Sequence, residues 1–167
     1  MTIQALNKTS KKQLKLELSK CCGATAWIDK MAAAFPIKDE QELLKISKQK
    51  WSECTEQDWL EAFTHHPKIG DVKSLFEKFA STAKWASGEQ SAVNTATNKI
   101  IDELAKGNAQ YEQKFGFIFI VCATGKTAEE MLALLNKRMS NSIKKELKIA
   151  AGEQQKITQL RLKKLVA

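Results

Sequence analysis

The chain holds two histidines, and they are adjacent, in His65-His66-Pro67-Lys68-Ile69-Gly70. Neighbouring side chains point in different directions, so the pair is a poor chelate for one metal. With no other histidine present, no metal site is expected. The chemistry the pair suits is proton transfer, because imidazole titrates nearest neutral pH. Pro67 disfavours helical geometry in the residue before it, which places His66 at the end of a helix. There the negative end of the helix dipole favours the imidazolium, the form of a proton donor. The bland alternative is a surface histidine at a helix C-terminus.

Three further stretches could carry chemistry. In Trp85-Ala86-Ser87-Gly88-Glu89-Gln90 a serine and a carboxylate open a helix. They serve as an ordinary cap, or they stand beside free backbone N–H groups that face an anionic ligand. Gly116 to Gly125 is apolar, and most of its side chains read as core. Its Thr124-Gly125-Lys126 is no phosphate loop, because the glycine spacing of one is absent. Arg161 lies in Ile157-Thr158-Gln159-Leu160-Arg161-Leu162, as an exposed arginine or as a fork for a carboxylate. Of the 27 basic residues all but Arg138 and Arg161 are lysines. A chain that uses lysine wherever a positive charge suffices keeps arginine where a planar fork is needed.

The elements that must position these residues read as helices. Leu14, Leu16 and Leu18 lie in a segment from Ser10 to Cys22, stopped by Gly23. Trp27, Ile28, Met31 and Phe35 follow at helical spacing, ended by Pro36. Asp39 caps a helix running to about Cys54. Thr55 with Asp58 opens one that stops near His65-His66. Ile69-Gly70-Asp71 turns into a helix over Val72–Ala80. A long helix starts near Ser87 and ends at Gly107, and a short one covers Asn108 to Lys114. The strand-like run Phe115 to Ala123 has no partner strand and reads as a buried, extended connector. Thr127 with Glu130 is a capping box for a helix through Met139. Asn141 or Ser142 caps a last helix reaching about Leu165, with a break near Gly152. The expected fold is all-α, a single compact multi-helix domain over residues 1–167 with that one connector.

Composition sets the class. At 167 residues, with 43% hydrophobic and few Pro and Gly, the chain can bury a core as one helical domain. No apolar run reaches membrane-spanning length, and the first residues carry no signal-peptide pattern. No terminal address is expected either. The four cysteines form no Cys-x-x-Cys pair and read as buried thiols of a reduced compartment, so a cytoplasmic location is expected. The net charge of +8 comes almost wholly from lysines interspersed with glutamates. That reads as a solvated surface, and neither nucleic acid nor membrane is expected as a partner.

Taken in order and spacing, these pieces resemble the 2-oxo-4-hydroxy-4-carboxy-5-ureidoimidazoline (OHCU) decarboxylase family. The resemblance rests on His66-Pro67-Lys68-Ile69-Gly70, Glu89-Gln90, Lys114-Phe115-Gly116-Phe117-Ile118-Phe119 with Val121-Cys122-Ala123, and Leu160-Arg161-Leu162 with Leu165. It runs from the Trp27 helix onward. It implies an all-helical, usually dimeric enzyme that makes (S)-allantoin and carbon dioxide from the ureidoimidazoline without a cofactor. His66 would be the catalytic acid/base and Glu89 its partner in proton handling. Pro67 would line the pocket. Substrate would be bound by Ala86, Ser87, Gly88, Glu89 and Gln90, by the backbone of Val121, Cys122, Ala123, Thr124 and Gly125, and by Arg161. The family often has a serine three residues before the glutamate, where this chain has Ala86.

That chemistry suits the residues present. Loss of the carboxylate leaves an electron pair that the adjoining ring C=N can accept, so neither pyridoxal phosphate nor metal is required. The protein must orient the carboxylate and protonate one face. The competing readings are a ureide-binding module of the same ancestry, a basic helical nucleic-acid binder, and an accessory component beside a hydroxyisourate hydrolase.

Overall fold

In the computed structural model, residues 1–66 and 90–167 are described, with the side chains of 90–97 excepted. The described chain forms α1 (Ile3–Lys8), α2 (Lys11–Ser19), α3 (Thr25–Ala33), α4 (Glu40–Ser52), α5 (Glu56–Thr64), α6 (Gln90–Phe115), α7 (Ala128–Met139) and α8 (Ile143–Val166). No strand occurs among the described residues, and the all-α expectation holds. No helix among them is long and apolar enough to cross a membrane. The helix expected over Val72–Ala80 lies outside the described residues.

Short polar side chains start these helices as the sequence suggests. Thr2, Ser10 and Asp39 each accept the backbone N–H three residues on. Thr55 with Asp58 and Thr127 with Glu130 form complete capping boxes. Of Asn141 and Ser142, Ser142 accepts the Lys145 N–H at 3.3 Å. The six-residue α1 is too short for its apolar period to be read, and was not expected.

The chain divides into two compact units. The first comprises Met1–His66, Ile120–Cys122 and Leu147–Ala167, the second Pro67–Phe119 and Ala123–Glu146. In the first unit, Leu6, Leu18, Trp27, Met31, Ile37, Leu43, Phe63 and Leu162 are fully buried. Many polar groups within this core are matched, although among the described residues the buried Trp59 indole N–H has no hydrogen-bond partner. The Trp27 indole donates to the Ser47 carbonyl at 3.2 Å, and the Trp51 indole to that of Ala151 at 2.9 Å. Asn7 grips both backbone groups of Ile37, at 2.7 and 2.9 Å. Gln159 of α8 donates to the Leu44 carbonyl and the Ser47 hydroxyl of α4, at 3.2 and 3.1 Å.

In the second unit α6 packs on α7 around Ile101, Leu104 and Leu135. Gly107 was expected to end the long helix. Instead α6 continues through it, and the helix expected at Asn108–Lys114 is its last two turns. A Cβ on Gly107 would lie 2.6 Å from Cδ2 of the fully buried Leu135. This glycine is there to admit the neighbouring helix. Gly107→Ala is therefore expected to lower stability by about 1–3 kcal/mol through overpacking, outweighing the gain of about 1 kcal/mol in helix propensity. A lower urea midpoint would bear this out, and a raised one would show that Leu135 moves aside.

The true end of α6 is Gly116, whose φ of +79° suits glycine and whose N–H returns to the Glu112 carbonyl at 2.8 Å. After it the connector runs without strand pairing. Phe117, Ile120 and Cys122 are buried, while Ile118, Phe119 and Val121 are half-buried. Tyr111, on α6, is the hub of an aromatic cluster, its ring centroid 4.6 Å from that of Phe115, 5.1 Å from Phe119 and 5.9 Å from Phe117.

The same unit buries a charge network. Glu146 is wholly inaccessible and accepts from Arg138 Nε at 2.6 Å, Asn141 Nδ2 at 2.9 Å and the Tyr111 hydroxyl. Burial first, then the bond to Glu146, pushes the Tyr111 phenol well above its usual range. The scarcity of arginine thus pointed to Arg138 as much as to Arg161. Arg138 Nε and Nη2 both reach Glu146, and its Cζ stands 4.6 Å above the Phe119 ring.

Candidate active site

α5 is fixed where it must be for His66 to be placed. α3 has no capping side chain of its own, and Glu61 of α5 supplies one. Its carboxylate accepts from the Thr25 N–H at 3.1 Å and the Thr25 hydroxyl at 2.6 Å. At the other end of α5, His65 is the C-cap, and its ring lies where a Cβ on Gly23 would stand, 2.3 Å from Cγ. The glycine of the α2–α3 turn is thus required by His65. His66 follows, its N–H bonded to the Phe63 carbonyl at 3.2 Å and its ring turned toward α8.

α8 runs unbroken from Ile143 to Val166, without the expected break at Gly152. Gly152 is exposed and meets nothing, so it costs only its propensity, about 1 kcal/mol, within a long packed helix. Through this stretch α8 shows a polar line on an otherwise buried face. His66 Nε2 is hydrogen-bonded to Gln154 Oε1. Gln154 Nε2 donates to Thr158 Oγ1 at 3.2 Å, and Thr158 Oγ1 donates to the Gln154 carbonyl at 3.0 Å. Gln154 and Thr158 are 1% and 3% exposed, burial that polar side chains tolerate only when bonded. Cys22 lies against Thr158, and burial pushes its thiol up to about 11, as it does that of Cys21.

Arg161 is on the same line, seven residues after Gln154. It is half-buried and donates Nη1 to the Cys21 carbonyl at 3.4 Å, with no other partner for the fork among the described residues. Next to Gln154, Glu153 Oε2 accepts the Cys122 N–H at 3.0 Å, tying the connector to the same helix. The first unit thus brings together His66, Arg161, Val121 and Cys122. Ala123, Thr124 and Gly125 belong to the second unit, and Gly125 sits in a turn at φ +76°. Gln90 opens the described part of α6, with its side chain not described. Pro67, Ala86, Ser87, Gly88 and Glu89 lie outside the described residues.

One expectation is reversed. The helix end was taken to favour the His66 imidazolium, yet its pKa lies below the usual 6.5. Desolvation is the main cause. The Arg161 charge and His65 lower it further, and the Gln154 bond only partly compensates. His66 is therefore held toward the neutral form, chiefly by desolvation. Because the unfolded chain binds this proton more readily, the stabilising contribution is full above about 6.5 and is lost as pH falls through the folded value. A proton NMR titration is expected to place His66 below 6.5, and Arg161→Met to raise that value without restoring it fully. A midpoint at or above 6.5 in the unmutated protein would contradict this.

Sequence reasoning missed Gln154, Thr158 and Glu153. The signal was available. Gln154, Thr158 and Arg161 recur at i, i+4 and i+7, one helical face, between the buried Ala150, Ala151 and Leu162. Polar residues on a core face need partners, and the histidine is one.

A family model described as OHCU decarboxylase matches residues 7–163. The chain is similar to the uric acid degradation bifunctional protein TTL of Arabidopsis thaliana, 40% identical over 87% of this chain and 45% of that one. It therefore spans less than half the length of that relative. It is also similar to a 2-oxo-4-hydroxy-4-carboxy-5-ureidoimidazoline decarboxylase of Haloferax volcanii, 22% identical over 97% of this chain and 94% of that one. Among solved structures, one of OHCU decarboxylase in the presence of (S)-allantoin matches with a TM-score of 0.72 and 38% identity. It covers 90% of this chain and 96% of the other. A structure of (S)-allantoin synthase shares the fold, with a TM-score of 0.71 at 16% identity.

Proposed function

The chain belongs to the OHCU decarboxylase family, and from that membership we propose that it decarboxylates 2-oxo-4-hydroxy-4-carboxy-5-ureidoimidazoline to (S)-allantoin. The observation that carries the reading is the bond of His66 to Gln154 on the line of α8 that also bears Arg161, within a chain matched by the family over residues 7–163.

Arg161 holds the substrate carboxylate or a ring oxygen. The bond between the ring carbon and its carboxylate breaks, carbon dioxide leaves, and the electron pair moves into the adjoining C=N. A proton is then delivered from one face to the neighbouring ureido-bearing carbon, while the hydroxyl on the decarboxylated carbon gives up its proton and becomes the ring carbonyl of allantoin. His66, neutral in the free protein, is protonated once the bound anion offsets Arg161, and becomes the donor. Glu89 shares the proton handling, and Pro67 and residues 86–90 complete the pocket with the connector at 121–125. No cofactor enters this scheme.

We further propose that residues 1–167 work as one domain. The first unit is assembled from three separate stretches of chain, so no single cut separates it from the second. A homodimer in the cytoplasm, acting on a small molecule and not on nucleic acid or membrane, follows from the family resemblance and the lysine-rich surface.

The test is turnover. Ureidoimidazoline made in situ from urate is mixed with the protein, and carbon dioxide release is compared with a protein-free control. Release well above the spontaneous rate supports the proposal. Release at or below that rate overturns it in favour of a ureide-binding module.

A further inference from the structure

Gln154 holds the ring nitrogen of His66, and its own orientation is set from behind. Thr158 has one hydroxyl hydrogen, whose acceptors are the Gln154 carbonyl at 3.0 Å, in the usual i−4 manner, and the Cys22 sulfur. Its oxygen can then only accept from the Gln154 side chain, so the group facing it, at 3.2 Å, is the amide NH2. The amide oxygen must therefore face His66, and an oxygen can only accept. The chain of roles leaves one choice for the imidazole, namely a proton on Nε2. Both supporting side chains are almost fully buried, so water cannot exchange for either partner.

We propose that the Gln154–Thr158 pair locks neutral His66 in the Nε2–H form, making Nδ1 the nitrogen that takes up and delivers the proton in the reaction. Among the described residues Nδ1 has no partner. Gln154 and Thr158 are positioning residues, since neither needs to touch substrate. The catalytic consequence rests on the decarboxylase reading, whereas the tautomer does not.

The charged and titratable groups that act on His66 are Arg161 from α8 and His65 from its own turn. Neither is hydrogen-bonded to Nδ1 among the described residues. Arg161 only donates, and its field falls on both nitrogens.

The experiment uses protein labelled with 15N in its histidine rings, read by long-range proton–nitrogen correlation at about pH 8, where the His66 imidazole is neutral. His65→Gln assigns the two rings. The expected result is a protonated Nε2 and a bare Nδ1 for His66. Gln154→Leu and the near-isosteric Thr158→Val are expected to give a mixture of tautomers. In both, kcat falls by about tenfold, the scale of one hydrogen bond, with KM little changed. Gln154→Glu, which keeps an acceptor in place, is expected to retain the Nε2–H form and raise the His66 pKa. A proton on Nδ1 in the unmutated protein overturns the proposal. So does an Nε2–H form that persists undiminished in both Gln154→Leu and Thr158→Val. If carbon dioxide release itself is absent, the decarboxylase reading fails, while the spectrum still decides the tautomer.

Discussion

Replacing His66 by glutamine is expected to lower kcat by about 10²–10⁴-fold, the usual worth of a positioned general acid or base. Glutamine is chosen because its amide N–H can stand where Nε2–H stood and still donate to Gln154. The buried pair on α8 then stays satisfied, and the protein folds. What is lost is a group that can change its protonation near neutral pH. His65→Gln is the internal control. His65 is exposed and serves as the cap of α5 against Gly23, so its loss should touch stability and leave kcat nearly unchanged. An equal loss of kcat in both variants would show that the helix end matters and the imidazole does not. Arg161→Lys is a gentler probe of the same site. It keeps the charge and loses the fork, so KM rises while the His66 titration stays low.

The largest effect on stability is expected at Arg138. Arg138→Met removes the cation beside the buried Glu146 and leaves Tyr111 and Asn141 as its partners among the described residues. Breaking a buried pair from one side typically costs about 3–5 kcal/mol. For a chain of this size that lowers Tm by on the order of 10 °C. Removing the whole network behaves differently. The triple variant Tyr111→Phe, Arg138→Met, Glu146→Leu carries no stranded charge, and apolar groups of similar size fill the space between α6 and α7. It should recover most of the loss. A triple variant as unstable as Arg138→Met would mean that the network contributes through packing geometry, not through charge compensation. Differential scanning calorimetry of the two variants decides the matter.

The sequence was most informative where local chemistry acts alone. Thr55 and Asp58 announced the start of α5, and Pro67 announced its end, because capping and proline sterics need no distant partner. The same holds for Asp39 and Thr127. Reading failed where a residue answers to something far away in the chain. Gly107 looks like a helix stop, but its role is to admit Leu135, 28 positions on. Gly152 looks like a break, but a long packed helix absorbs one glycine on its exposed face. His66 looks like an imidazolium at a helix end, but burial and Arg161, 95 positions away, reverse that preference. Gln154 passed as an ordinary helix residue because His66 lies 88 positions away, and Thr158 because it acts through Gln154 on its own helix. They become conspicuous only once His66 is known to need something to hold it. The rarity of arginine drew attention to both arginines: Arg138 is a buried fork on Glu146, and the half-buried Arg161 carries a role in the proposed function.

Together these points make α8 the organising element of the first unit. From one face it ties down the connector through Glu153, orients His66 through Gln154, and presents Arg161. A catalyst that selects one face of a reactive intermediate needs this kind of fixed frame more than it needs strong binding. The spontaneous loss of carbon dioxide has no such frame and yields both hands of the product.

Stereochemistry is therefore where the claim is most exposed. Ureidoimidazoline generated from urate is followed by circular dichroism as allantoin forms, with the unmutated protein, with His66→Gln and with His65→Gln. The account predicts rapid growth of a single-enantiomer signal that is lost with His66→Gln and kept with His65→Gln. A signal no different from the racemic background, or one that survives the loss of His66, would contradict it.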